Sequence, residues 1–273
     1  MGTMPLLRRW RSAAGDLLLG ASCHGCGAPV WTLCDDCRRD LAVQQVRPAR
    51  PQPRPSGFPQ AWTAGSYDAL ARSLVSAHKE RSALGLTRVL GERLALAVLA
   101  LLAAADVLDQ AGRASGPVLL VPVPSARRAV RERGFDAGLA LARAAAVRLP
   151  AARAGPLLVP ARRVADQSGL GAAERQANLA GAFRLRPERP WSRPGTRGPE
   201  LRRTTVVVVD DVVTSGASLT EAVRALQAGG VPVLGAATVA ATVRRTPPRT
   251  ARPGVAEPSP RPRPAPLIHS RGV

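Results

Sequence analysis

Apolar residues in this chain gather into short β-branched runs separated by longer stretches with helical spacing. Val206 to Val209 are four successive valines, the pattern of a strand buried on both faces of a parallel sheet. Val118 to Val123 makes a second run, although Pro122 and Pro124 argue against a regular central ladder there. Pro156 to Val159 and Val231 to Ala241 read as two further strands, and Trp62 to Tyr67 as a strand or turn. Between these runs, apolar positions recur at helical spacing over 68–79, 86–110, 131–149 and 218–228, with Gly229-Gly230 as a stop. Residues 162–183 mix Gln167, Ser168, Gly169, Arg175, Gln176 and Asn178 with few large apolar groups, so they read as a surface loop and helix. The alternation predicts an α/β fold, a parallel sheet flanked by helices.

Composition modifies this picture in two places. The formal charge of +20 would ordinarily point to nucleic acid or an anionic surface. Residues 47–60 carry three arginines and no acid, 184–203 seven arginines and two acids, and 244–273 seven arginines and one acid. These segments hold +14 of the +20, and all are proline-rich and poor in apolar residues, so they read as a stiff linker, a basic insertion and a disordered tail. Aromatic residues are 3% of the chain, which leaves few platforms for stacking bases, so nucleic-acid contact is expected to be weak and non-specific. The apolar run Leu94 to Leu108 is broken by Asp106 and falls short of the ~20 residues of a spanning helix, so it reads as a buried helix with no membrane insertion. Leu17-Leu18-Leu19, preceded by Asp16, is too short for a secretory core, and a cytoplasmic protein is expected.

Two stretches carry candidate chemistry. Cys23-His24-Gly25-Cys26 and Cys34-Asp35-Asp36-Cys37 are paired C-x-x-C knuckles that contain every cysteine in the chain. Four thiolates on two such turns can close a tetrahedral, structural zinc site. Disulfides are disfavoured by the missing secretory signal, and a redox pair by the absence of a βαβ context. The second stretch is 204–222. At the carboxyl end of the valine strand, where open α/β sheets bind ligands, stand Asp210 and Asp211, followed by Val212 and the small-residue loop Thr214, Ser215, Gly216, Ala217 and Ser218. The loop's N–H groups can cradle a phosphate at the start of the next helix. The carboxylates would repel a polyphosphate but can accept hydrogen bonds from vicinal ribose hydroxyls, so a ribose 5-phosphate fits both halves. A Walker-type nucleotide site is excluded, because the only lysine is Lys79 and no G-x-x-x-x-G-K motif exists. Lys79 reads equally as a phosphate contact or as a solvated cation beside Glu80.

The stretch around Asp210 resembles the 5-phosphoribosyl 1-pyrophosphate (PRPP) motif of type I phosphoribosyltransferases. With the paired knuckles, VPVPSARRAVRERGFDAGL at 121–139 and ERQANLAGAF at 174–183, the chain resembles the ComF family, a zinc-finger segment joined to a phosphoribosyltransferase-type domain. Asp136 departs from the asparagine usual there. The resemblance implies a type I phosphoribosyltransferase fold with a hood over the sheet. The resemblance covers about residues 20–243; with the composition it divides the chain into an N-terminal helix and zinc segment (1–46), a linker (47–60), the transferase domain with its basic insertion at 184–203 (61–243) and a tail (244–273). It also implies that Asp210 and Asp211 hold the ribose hydroxyls, Thr214 to Ser218 the 5-phosphate, and Ser125, Arg127 and Arg128 the pyrophosphate, with magnesium carried on the ligand's oxygens. The family is named for DNA uptake in competence. The implied function is therefore phosphoribosyl transfer to a nucleobase-like acceptor or, alternatively, a non-catalytic PRPP-binding adaptor of the uptake machinery.

Overall fold

The computed structural model describes residues 22–162, 171–187 and 201–242. The expected N-terminal helix, most of the 184–203 insertion and the tail from 244 lie outside them. The chain runs α1 (Asp35–Ala42), β1 (Arg47–Pro48), β2 (Ala61–Thr63), α2 (Ala69–Glu80), α3 (Leu86–Ala104), β3 (Val118–Pro122), α4 (Arg127–Arg133) and α5 (Ala137–Ala146). It continues with β4 (Ala152–Ala154), β5 (Leu158–Pro160), α6 (Ala172–Leu179), β6 (Phe183–Leu185), β7 (Thr205–Val213), α7 (Ala217–Ala228) and β8 (Gly235–Ala241).

A six-stranded sheet in the order β1-β2-β8-β7-β3-β4 forms the centre, parallel throughout except for β1 on one edge. The valine strand β7 is interior, as its continuous burial requires: Val206 to Val209 are each at most 1% exposed. Val207 and Val209 pack with α3 and α5 on one face, and Val206 and Val208 with α7 on the other. Burying such a side chain is worth roughly 1.5–3 kcal/mol, so β7 supplies a large share of the apolar stabilisation on both faces. Strands β5 and β6 form a separate antiparallel ribbon packed beside α7.

Several expectations change. Pro122 lies within a regular ladder, opposite Val209. Val118 N–H bonds to Ala151 O and Leu120 O accepts from Gly155 N–H, so even-numbered residues of β3 face β4. That strand ends opposite Leu120, so the missing N–H of Pro122 faces no partner strand. The single helix expected over 131–149 is two. Gly134, at φ 75°, caps α4 in the left-handed region, and the Asp136 carboxylate accepts the Leu139 N–H at 3.1 Å to start α5. The departure at Asp136 therefore serves as a helix N-cap.

Residues 47–60 are built into the body and do not space two bodies apart. Ala49, Pro51 and Phe58 are buried, Arg47–Pro48 pairs with β2, and Ala49 N–H donates to Ala61 O at 2.8 Å. The cysteine segment packs on the same core: Cys23, Leu33, Cys37 and Leu41 share a cluster with α2 and α3. Buried Arg93 of α3 donates to Gln44 O at 2.8 Å and to Ala64 O, joining the end of the cysteine segment to β2. Among the described residues, no helix is long and apolar enough to cross a membrane.

Candidate functional site

Strand β7 carries the two acids to the carboxyl edge of the sheet, and backbone donors fix both. Asp210 Oδ1 accepts the Asp211 N–H at 2.9 Å, and Asp211 Oδ1 accepts the Val212 N–H at 2.8 Å. The second oxygen of Asp211 meets Lys79 Nζ at 2.5 Å. Lys79 is thus brought to the site by the last turn of α2. Its pKa is raised: burial opposes the charge, but Asp211 and Asp210 outweigh that. The Asp210 carboxyl is pushed up from 3.8 to about 8, first by burial and then by the Asp211 charge, with Lys79 opposing. A carboxyl group held this far from its ordinary value at a strand end is a mark of a functional position.

After the acids, the chain turns through Thr214 and Ser215 into α7. Gly216 is its N-cap with φ 80°, and Ser215 Oγ accepts the Ala217 N–H at 3.5 Å. A side chain at Gly216 would strike the Phe58 ring at 2.7 Å and Pro51 at 3.1 Å, so the proline-rich stretch buttresses this loop from behind. Thr214 is exposed, and Ser215 and Ser218 are half-exposed, so this stretch at the start of α7 is open to a ligand. This arrangement suits one phosphate.

The residues expected on the pyrophosphate disperse. Ser125 donates its hydroxyl to Asp136 Oδ1 at 3.0 Å. Arg127 is exposed, and Arg128 is turned along α4 to Glu132 at 2.6 Å with its side chain 87% exposed. Other groups, not anticipated from sequence, take the space near Lys79. His78 is buried, bonds through Nε2 to Thr87 Oγ1 at 3.0 Å and meets Phe135 edge-on at 5.6 Å. Burial, opposed by the Asp211 charge, lowers the His78 pKa and keeps the ring neutral. Arg133, just before Gly134 and Phe135, lies in the same corner, and its charge acts on both His78 and Lys79. For His78 a signal existed: it falls four residues after buried Leu74 on the apolar face of α2. For Arg133 none did, since 127–133 contains four arginines and spacing does not say which turns inward.

The knuckles converge as expected. The Sγ atoms of Cys23, Cys26, Cys34 and Cys37 all lie within 4.8 Å of one another, with Cys26 and Cys34 at 3.6 Å. Four sulfurs about 2.3 Å from one zinc would be spaced about 3.8 Å apart, so the cage fits that ion. Backbone N–H groups of Gly25 and Cys34 donate to Cys23 Sγ, and the N–H of Cys37 donates to Cys34 Sγ. Burial and the neighbouring thiols push the Cys37 thiol up, so a bound cation would be what draws it into a thiolate. The segment braces α2 at both ends. A side chain on Gly25 would strike Leu70, His24 O accepts the Ser73 hydroxyl at 2.5 Å, and a side chain on Gly85 beyond α2 would strike Thr32.

A comparison with curated proteins gave no match. The family comparison did: residues 136–253, which include the acid-bearing end of β7, the loop after it and α7, match the phosphoribosyl transferase domain family.

Proposed function

We propose that this chain is a ComF-like phosphoribosyltransferase that binds magnesium PRPP and transfers its phosphoribosyl group to a nucleobase-like acceptor in the cytoplasm, in nucleoside metabolism or DNA uptake. The carrying observation is the juxtaposition at the end of β7: Asp210 and Asp211, the phosphate loop Thr214–Ser218, and Lys79 at 2.5 Å from Asp211. The paired knuckles against α2 support the narrower ComF reading, since they join a four-thiolate cage to this domain.

In this reading the loop and the start of α7 hold the 5-phosphate, and the carboxyl group of Asp210 and the carboxylate of Asp211 accept the ribose hydroxyls. Magnesium, a hard cation that keeps few protein ligands, would be held mainly by PRPP's own oxygens and would offset part of their charge. Lys79 leaves Asp211 for the ligand's anionic oxygens as the hydroxyls arrive. The C1–O bond of the ribose breaks with its electron pair going to pyrophosphate. The acceptor nitrogen's lone pair makes the new C1–N bond, and its proton passes to solvent. Positive charge develops on the ribose beside the Asp211 carboxylate, which is already fixed by a backbone donor, so little reorganisation opposes the step.

The test is a titration with magnesium PRPP, followed by incubation with a panel of bases and measurement of pyrophosphate. Binding with base-dependent release supports the transferase. Binding with no release across the panel would make the protein a PRPP-binding adaptor, and no binding at all would overturn the site.

A further inference from the structure

On the α7 face of the sheet, three polar side chains form a row at the carboxyl end. Thr63 of β2 pairs with Thr238 of β8, and Thr238 pairs with Asp210 of β7. Val208 and Ala236, two residues earlier on β7 and β8, pack with α7, whereas Val209, Ala237 and Val239 pack on the opposite face. Successive side chains alternate, so Asp210 and Thr238 point to the α7 face from neighbouring strands about 4.8 Å apart.

The two threonines are both fully buried, but they differ in what they meet. Thr63 Oγ1 donates to Gly65 O at 3.0 Å. Thr238 Oγ1 has no hydrogen-bond partner among the described residues. A buried hydroxyl left unmatched opposes folding, and a valine of nearly the same shape would remove that opposition. Beside it, Asp210 is half-buried and anchored through one oxygen, since Oδ1 accepts the Asp211 N–H at 2.9 Å. A hydroxyl both donates and accepts, so Thr238 can meet that carboxyl with or without its proton.

We propose that Thr238 is a positioning residue of the ribose site, whose hydroxyl bonds the Asp210 carboxyl when a ribose phosphate is bound and holds it towards the sugar hydroxyls. This rests on the transferase reading and deepens it. Ribose hydroxyls need the carboxyl in one orientation, and a bond from the neighbouring strand removes the freedom that a single anchor leaves. The Thr238 hydroxyl is unmatched in the free protein and matched in the complex, so it favours the bound state over the free one.

The inference gives Thr238→Val opposite effects on folding and on binding. The experiment measures melting temperatures without ligand, and dissociation constants of ribose 5-phosphate, magnesium PRPP and inorganic phosphate, for the parent protein, Thr238→Val, Thr238→Ser and Thr63→Val. Thr238→Val is expected to melt at or above the parent's temperature. It should bind ribose 5-phosphate and PRPP roughly three- to tenfold more weakly, with inorganic phosphate, which reaches only the Thr214–Ser218 loop, changed by less than about twofold. Thr238→Ser should restore the affinity. Thr63→Val should do the reverse, melting earlier through loss of the bond to Gly65 O while binding as the parent does. In an Asp210→Ala background the Thr238→Val loss should shrink below about twofold, because Thr238 acts through that carboxyl. Parental ribose 5-phosphate affinity in Thr238→Val, an equal loss for inorganic phosphate, earlier melting of Thr238→Val, or an undiminished loss beside Asp210→Ala would overturn the inference. A parent protein that binds neither PRPP nor ribose 5-phosphate would instead overturn the transferase reading beneath it.

Discussion

At the scale of single residues, Asp210 sets stability against binding. Its carboxyl is raised from 3.8 to about 8, so between those values the folded protein keeps a proton that the unfolded chain has released. Its contribution is complete below about pH 4 and is lost as pH rises through about 8. Asp210→Asn removes the charge that burial disfavours. At pH 8 its melting temperature should exceed the parent's by a few degrees, on the order of 1–2 kcal/mol, and at pH 4 the two should coincide. The same variant should weaken ribose 5-phosphate binding by roughly several-fold, the scale of one neutral hydrogen bond. Thermal melts at both pH values with a titration check this, and equal melting at pH 8 would show that the carboxylate is not strained. Gly216 makes a second residue-scale case. An alanine there meets both a positive φ and the Phe58 ring, so Gly216→Ala should cost about 1–3 kcal/mol and weaken phosphate binding together. Denaturant unfolding and a phosphate titration would separate the two losses.

At the scale of elements, the β5–β6 ribbon is fastened to the helix that starts at the Thr214–Ser218 loop. Buried Glu221 of α7 accepts the Phe183 N–H at 3.1 Å and is held bidentately by Arg224 at 2.7 and 2.8 Å, while Arg224 also donates to Phe183 O. Burial alone would raise the Glu221 pKa, but these donors outweigh it and the net shift is downward. A depressed carboxylate contributes stability that is present above its ordinary value and disappears as pH falls through the folded one. Glu221→Gln should therefore destabilise by roughly 1–3 kcal/mol near neutral pH and lose that difference in acid. Hydrogen exchange at Phe183 should quicken in the variant. If the exchange rate does not change, the ribbon is held by apolar packing alone.

At the scale of the whole molecule, the cysteine cage and the ligand site are joined by one helix. The cage braces α2 at Leu70, Ser73 and the turn beyond it, and the last turn of α2 delivers His78 and Lys79. Purified protein should contain about one zinc per chain. Chelation or Cys34→Ser should lower the melting temperature and also weaken ribose 5-phosphate and PRPP binding by several-fold, because Lys79 loses its support. A variant that melts early yet binds with parental affinity would show that the cage is energetically separate from the site. Reading 47–60 as a spacer predicts that separation. The burial of Pro51 and Phe58, and of Leu33, Cys37 and Leu41 in the α2–α3 core, argues for coupling.

Local chemistry was legible in the sequence because it depends on neighbours along the chain. Four valines before two acids and a small-residue loop specify a buried parallel strand with the acids and the loop at its carboxyl end, whatever surrounds them. Two C-x-x-C turns likewise specify a four-sulfur cage. Properties that depend on contact between distant segments required the fold. Pro122 is tolerated because β4 stops opposite Leu120, which composition cannot reveal. The proline-rich stretch 47–60 looks like a linker, but Ala49, Pro51 and Phe58 find apolar partners behind the phosphate loop. Of the arginines along α4, only the tertiary structure distinguishes Arg128, spent on Glu132 in solvent, from Arg133, turned inward beside Lys79. Side-chain direction on a short helix is decided by the phase at which Gly134 ends it and by what Phe135 packs against, and neither is written in spacing alone.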